Sequence, residues 1–541
     1  VHRSWSLVVV ALLIAIPVRS FAQHEHDHAH PVPEKFGSVH FPTSCKAEVA
    51  PAFDRAVALL HSFAYPEAGK AFGDIAATDP DCAMAEWGIA MSYYHTIWGP
   101  PTPVEFAAGQ KAAAKAASLA PKATPRERDL IAAIGAYYQG NDVPHATRVV
   151  AYHQAMAGVA QRYPDDHEIA IFHALALLGV AYNSPPEKTY ARQKQAAEIL
   201  NRLLPLEPGH PGIAHYMIHS FDYPDLADLA LPAARAYAKI APSAPHALHM
   251  PSHIFTRLGM WPESIESNLA SARVAQEWIA RTKPGATAYD ALHAMDYLEY
   301  AYLQSGQDAK ARAIVDSVEH VRSFDNPTFQ AGYAVAAIPA RYALERRDWK
   351  TAARLTARPA SYPWDKYRYA EAIVHFARAV GAARSGDLPV ARAAVAQLDS
   401  IQRSLQGQKG FDWATQVEIQ HLAAAGWLAR AEKKDDDALR IMRAAADLED
   451  KTDKHPVTPG SVLPAREQFA DLLLELGKPD QALVEYEASL RSAPARLNSF
   501  LGAAQAAIRA GQPDKAKEFK DRLVAVCVGA VPDRVAEAGL K

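Results

Sequence analysis

From about residue 50 onward, apolar side chains recur three and four positions apart within stretches of ten to twenty residues, and polar residues fill the other faces. That period places the apolar positions on one side of a helix. Short alternating Val/Ile/Thr runs closed by Asn-Gly turns, the signature of strands, are missing. The breaks between stretches repeat in kind: LGMWPES around Gly259, SGQDAKA around Gly306, RRDWKTA around Asp348, SGDLPVA around Gly386, LGKPDQA around Gly477 and AGQPDKA around Gly511. The last two glycines are 34 residues apart, and earlier intervals are longer, so insertions are expected. The pattern predicts an all-α chain of about twelve helix pairs over residues 50–528. A single helix hairpin cannot bury its apolar face, but a row of them shares one core. The expected result is an α-solenoid forming a curved superhelix, with the first helix of each pair lining the concave side.

The ends differ from this body. LVVVALLIAIP (Leu7 to Pro17) is an apolar run of signal-peptide length, followed by Ser20-Phe21-Ala22, which suits a signal peptidase. Residues 1–22 are expected to be an export signal, and the mature chain to be periplasmic or secreted with no membrane span. Residues 23–49 form a histidine-rich tail, HEHDHAH from His24 to His30, and an extended segment. Such a tract is either a solvated tail or a weak metal scavenger. The repeats divide at about residue 345 into an N-terminal set (50–345) and a C-terminal set (346–541). An oxidising compartment allows a Cys45–Cys82 bridge, which would pin the N-terminal segment to the second helix pair. Cys527 is left over, and burial is expected for it. Hydrophobic content of 49% and charged content of 22% are ordinary for a globular protein. A net charge of −3 without Lys/Arg-rich blocks argues against nucleic acid as a partner.

Candidate chemistry concentrates between His210 and His253, where six of the 23 histidines fall within 44 residues. His215 and His219 are four apart, as are His249 and His253, and His246 lies three before His249. Residues at those spacings share a helix face. In the next repeat His293, Asp296 and Glu299 follow one another at steps of three. On three successive inner helices these residues would converge as a transition-metal site of His215, His219, His246, His249, His253 and His293. Asp222, Asp296 and Glu299 are the candidate catalytic carboxylates. Histidine without nearby cysteine suits zinc, copper or iron. The paired H-x3-H helices resemble, by analogy, the histidine frames of coupled copper sites. Pro251 lies inside H-M-P-S-H, so either the helix is kinked there or a new helix begins at that proline. His40 and His61 could reach the cluster only if the superhelix curls back on itself. His95, His173, His375 and His421 are expected to be ordinary packed histidines. Tyr216, Tyr297, Tyr300 and Trp261 either shape a pocket or pack between repeats. H-E-x-x-H, G-x-S-x-G and the glycine-rich phosphate loops are absent, so no nucleotide cofactor is expected.

ADLLLELGKPDQALVEYEASLRSAP (Ala470 to Pro494) and AAQAAIRAGQPDKAKEFKDRL (Ala503 to Leu523) resemble tetratricopeptide repeats. Phe53 to Trp98 resembles two more, with Trp87-Gly88 and the Asp79-Pro80 stop. More narrowly, VHFPTSC (Val39 to Cys45), LLHSF (Leu59 to Phe63), CAMAEWGIAMSYYH (Cys82 to His95), the H-x3-H helix and H-x2-H-M-P-S-H-I resemble a group of large exported bacterial tetratricopeptide proteins. This resemblance runs to about residue 345 and implies a fold, without a reaction. Two functions stay open. One is a metal-dependent enzyme or metal carrier. The other is a metal-free scaffold holding a peptide or protein ligand in its concave groove.

Overall fold

The helices start and stop where side chains can take over the backbone groups that a helix end leaves unpaired. Thr102 and Glu105, and again Thr124 and Glu127, form reciprocal capping boxes, each followed by proline at the first helical position. Asp166, Asp348, Asp387 and Asp412 cap four further helices through their carboxylates. At the recurring turns a left-handed residue reverses the chain. It is glycine at 259, 306, 386, 477 and 511, but in RRDWKTA it is Arg347 (φ 56°), one residue before the aspartate that marks the turn in the sequence.

In this computed structural model the described residues are 34–529 apart from 186 and 409, together with 532 and 535. The segment 1–22 and the tract His24 to His30 lie outside them. From Lys35 onward the chain forms one compact unit. Among the described residues its α-helices run from Ala50–His61 to Pro513–Val526, twenty-five in all. With Pro245–His249 and Pro251–Arg257 counted as one broken helix, they make twelve pairs, as the periodicity predicts. The architecture is a tetratricopeptide-like α-solenoid. Among the described residues none of the helices is long and apolar enough to cross a membrane. Cys45 and Cys82 are bridged, with Cα atoms 4.8 Å apart, so the N-terminal segment is tied to the second pair. Cys527 departs from expectation. It directly follows the Pro513–Val526 helix, with extended backbone, and is only partly buried.

The row of pairs does not stay open. The first helix, Ala50–His61, packs on the first helix of the fifth pair, Pro211–Phe221. The last pair returns to the seventh: Leu497–Arg509 contacts Tyr289–Gln304. There Arg496 is buried between Glu467 (2.9 Å) and Glu345 (2.7 Å), and Trp261 Nε1 donates to the Ala495 carbonyl at 3.2 Å. Gly259 is needed at this return. A Cβ there would lie 2.4 Å from the Ala495 Cβ. Residues 456–458, in the stretch between Asp435–Glu449 and Ala465–Glu475, also turn inward. Tyr297 Oη lies 2.8 Å from the Pro456 carbonyl and 3.1 Å from that of Thr458, its single proton shared between them. The expected open groove is therefore filled by the chain itself beside the fifth to seventh pairs.

Candidate metal centre

Three first helices carry the predicted histidines: Pro211–Phe221, the broken Pro245–Arg257 helix and Tyr289–Gln304. They pack on one another as successive inner helices. The break at Met250 resolves the proline question. His249 ends one short helix and Pro251 opens the next. Met250 keeps helical dihedrals, so the His249 and His253 rings still face each other at 4.9 Å.

The six histidines form two sets rather than the single cluster expected from sequence. His215, His219 and His246 make the first, and His249, His253 and His293 the second. Within each set the ligating nitrogens lie within 4.8 Å of one another. The sets adjoin, with the His246 and His249 rings 6.4 Å apart. Each set is one H-x3-H pair completed by a histidine from elsewhere. Exposure is 0% for His215 and His219, 2% for His249, 3% for His253 and 6% for His293, so these are not rings on an open wall. His246 alone is partly exposed, with Phe63 stacked on it and Trp98 edge-on.

Burial lowers the pKa of all six rings, and neighbouring imidazoles lower five of them further: His219 acts on His215, His246 on His219, His215 on His246, His253 on His249 and His249 on His293. His253 is lowered by burial against the pull of Asp222. A neutral imidazole carries one N–H and one bare nitrogen. His253 Nδ1 donates to Asp222 Oδ2 at 2.9 Å. His249 Nδ1 donates to Asn268 Oδ1 at 2.7 Å, the amide being oriented by Asn268 Nδ2, which donates to the Ser264 carbonyl at 2.7 Å. Both rings thus present a bare Nε2, and these two atoms stand 3.0 Å apart. Two lone pairs at that distance repel unless a cation lies between them.

The first set repeats the pattern. His215 Nδ1 donates to the His61 carbonyl at 2.6 Å, so its Nε2 is bare too. That nitrogen meets His246 Nε2 at 3.0 Å and His219 Nε2 at 3.1 Å, and its single lone pair cannot accept from both. His219 Nδ1 has no hydrogen-bond partner.

A third group, His61, Glu168 and His210, has similar composition and the opposite character. His61 Nε2 donates to Glu168 at 3.0 Å, and His210 Nε2 donates to its other oxygen at 2.9 Å. Tyr216 Oη donates to His61 Nδ1 at 2.8 Å, and the Gly212 amide donates to His210 Nδ1 at 3.1 Å. Every nitrogen is used. Burial opposes the charge on Glu168, yet His210 and His61 together hold its carboxyl far below the ordinary range. This group needs no ion and serves as a support: its His61 carbonyl fixes the His215 tautomer.

The predicted carboxylates separate. Asp222 supports His253 from behind and also accepts from Arg257 Nε at 2.9 Å. Burial would raise its pKa, but the charges of Lys454 and Arg257 and the hydrogen bond from His253 hold it well below the usual range. Asp296 and Glu299 turn away from the histidines onto the buried Arg341, at 2.7 and 2.8 Å. Burial raises both, Glu299 to about 8, against the opposing pull of Arg341. His61 reaches the site because the array does curl back, whereas exposed His40 stays beside Asp54 at 3.8 Å. His95 packs on Tyr65 and His173 on His153, while His375 and His421 lie near Glu371 and Glu418. Tyr297 stacks on His253, whereas Tyr300 and Trp261 pack together near Arg496. Neither Asn268 nor Glu168 carries a spacing signal in the sequence. They stand alone in their helices, and only the fold brings them to the histidines.

No protein-family model matches this chain, and no curated protein does. Among solved structures, the human IFIT1 dimer with m7Gppp-AAAA is similar at 13% identity and a TM-score of 0.38, over 82% of this chain and 90% of that one. Yeast Tom70 is similar at 11% and 0.31, over 91% and 95%. The APC/C hetero-tetramer Cut9-Hcn1 is similar at 12% and 0.30, over 90% and 88%. Likeness of this grade carries nothing about activity, and the repeat architecture stands on the chain's own helix pairs.

Proposed function

We propose that this chain is an exported metal-dependent enzyme with a binuclear transition-metal centre built wholly of histidine, one ion held by His215, His219 and His246 and the other by His249, His253 and His293. The observation that carries the reading is the pair of bare Nε2 atoms of His249 and His253, 3.0 Å apart, each with its Nδ1–H committed to an oxygen. Histidine ligands whose second nitrogen donates to an oxygen are the usual support of a metal site. Six neutral imidazoles and no ligating carboxylate favour copper, then zinc, over iron, manganese or magnesium. Three nitrogens per ion leave a coordination position for a reactant, which sets a catalytic site apart from a closed structural one. Burial speaks against a carrier, which must hand its ion over. Two adjacent ions of this kind polarise or clamp a small molecule between them.

The test is metal content by mass spectrometry and copper speciation by electron paramagnetic resonance. Wild type is expected to hold two ions per chain, and His249→Ala/His253→Ala and His215→Ala/His219→Ala one each. Near-zero metal in all three after copper and zinc loading would instead support the metal-free scaffold. Ions that exchange within seconds would support a carrier.

A further inference from the structure

A narrow cleft lies beside the histidine centre, between the inward-turned segment at 454–463 and the Phe329–Glu345, Arg368–Ser385 and Trp413–Ala431 helices. Its walls include Tyr333, Phe376 and Trp413, and Lys454 and Gln420 also line it. Tyr369 lies flat on Trp413, ring centres 3.9 Å apart, which holds that indole in place.

Two polar groups in this aromatic cleft are left wanting. Lys454 Nζ donates to the Thr458 carbonyl at 2.7 Å, and no carboxylate lies within ion-pair distance of it among the described residues. The acids around it are engaged elsewhere: Asp453 with Lys188 at 2.9 Å, Asp222 with His253 and Arg257, Asp296 with Arg341, and Glu449, which also lines the cleft, with the Ser461 hydroxyl and the Ala465 amide at 2.7 Å each. Burial, followed by the charge of Arg257, lowers the Lys454 ammonium to about 7. Asp222, Asp453 and Asp296 oppose that lowering only from beyond ion-pair distance, and an enclosed ammonium is stabilised by an anion in direct contact. The second group is Gln420, whose Oε1 is buried without a donor. Such an orphan acceptor calls for an N–H or O–H from a partner.

We infer that this cleft binds a small aromatic carboxylate bearing a hydroxyl, with its acid group on Lys454, its ring against the aromatic walls and its hydroxyl donating to Gln420. The class follows from the three features together. An anion answers the ammonium, a flat ring answers the aromatic walls, and a donor answers Gln420. The cleft also adjoins the metal centre through one atom. The Thr458 carbonyl that accepts from Lys454 also lies 3.1 Å from the hydroxyl of Tyr297, whose ring lies on His253. A ligand held there sits next to the second histidine set, yet the inference does not rest on the metal reading.

The probes are para- and meta-hydroxybenzoate, benzoate and para-hydroxybenzyl alcohol, titrated by isothermal calorimetry into the full chain as purified and after EDTA treatment. One hydroxybenzoate is expected to bind at least tenfold more tightly than the alcohol, with or without EDTA, since a hydrogen bond to a charged group contributes about 1.5–3 kcal/mol. Lys454→Met should remove that tenfold preference while leaving the alcohol within about twofold, and Lys454→Arg should keep it. Gln420→Leu should bring the hydroxybenzoate down to the level of benzoate and spare benzoate itself. The deciding comparisons are ratios within one variant, in which partial unfolding cancels. Equal binding of acid and alcohol by wild type, no binding of any probe, or an unchanged ratio in Lys454→Met would each overturn the inference. Binding that vanishes on EDTA treatment would do the same, because it would place the carboxylate on a metal rather than on Lys454.

Discussion

Asp222→Asn is the sharpest probe of the histidine centre, because it alters one ligand's support without touching a ligand. The Asp222 carboxylate accepts from His253 Nδ1 through Oδ2 and from Arg257 Nε through Oδ1, both at 2.9 Å. Asparagine keeps the shape but offers one oxygen, so one of the two donors must face an amide N–H. If Arg257 keeps the oxygen, His253 loses its acceptor and the reason to hold its Nε2 bare. Loss of such a support typically weakens metal binding 10–100-fold, about 1.4–2.7 kcal/mol at 1.36 kcal/mol per tenfold. The folded chain should lose roughly 2 kcal/mol besides, for a buried donor left unpaired. The first set takes its tautomer from the His61 carbonyl instead. Its affinity should therefore stay within about threefold. Competition against a chelator of known strength, with the two ions resolved by the order in which they leave, reads both affinities. A variant that weakens both sets equally, or neither, would refute the assignment of His253 to a distinct second set supported by Asp222.

Other consequences can be measured on the same protein. The Cys45–Cys82 bridge closes a loop of 37 residues, so Cys45→Ser/Cys82→Ser should lose up to about 4 kcal/mol in denaturant unfolding and keep its metal content. His61 and the six centre histidines all have pKa values lowered by burial. Their contribution is intact above the unfolded pKa of about 6.5 and is lost as pH falls below it, because the unfolded chain takes up protons that the native one refuses. The metal-free protein should accordingly lose about 1.4 kcal/mol per histidine for each pH unit below that point. An acid titration followed by circular dichroism shows this, and a flat profile from pH 7 to 5 would contradict the buried neutral rings. Gly212→Ala would set a Cβ 2.7 Å from His61 Nδ1. The displaced ring should cost about 1–3 kcal/mol and loosen the first set, read as a lower melting temperature and faster metal loss from His215, His219 and His246 only.

The local features of this protein were written in its residue order. Helix periodicity, capping acids, prolines at helix starts and left-handed turns all act within a few residues, so twelve pairs could be counted from the chain alone. The H-x3-H spacings likewise fixed which histidines share a face, because that depends only on the 3.6-residue turn. What the sequence could not determine was how the row of pairs bends. Each pair adds a small rotation, and their sum decides whether distant pairs meet. That sum brings His61 and Glu168 behind His215, sets Asn268 behind His249, seats residues 456–458 over the groove, and delivers Lys454 to the side of the centre. It also sends Asp296 and Glu299 to Arg341, although their spacing from His293 had grouped them with the metal ligands. Division of six histidines into two sets of three was settled by the same packing. A ligand set is a meeting of side chains in space, and helical spacing governs only those members that lie on one helix.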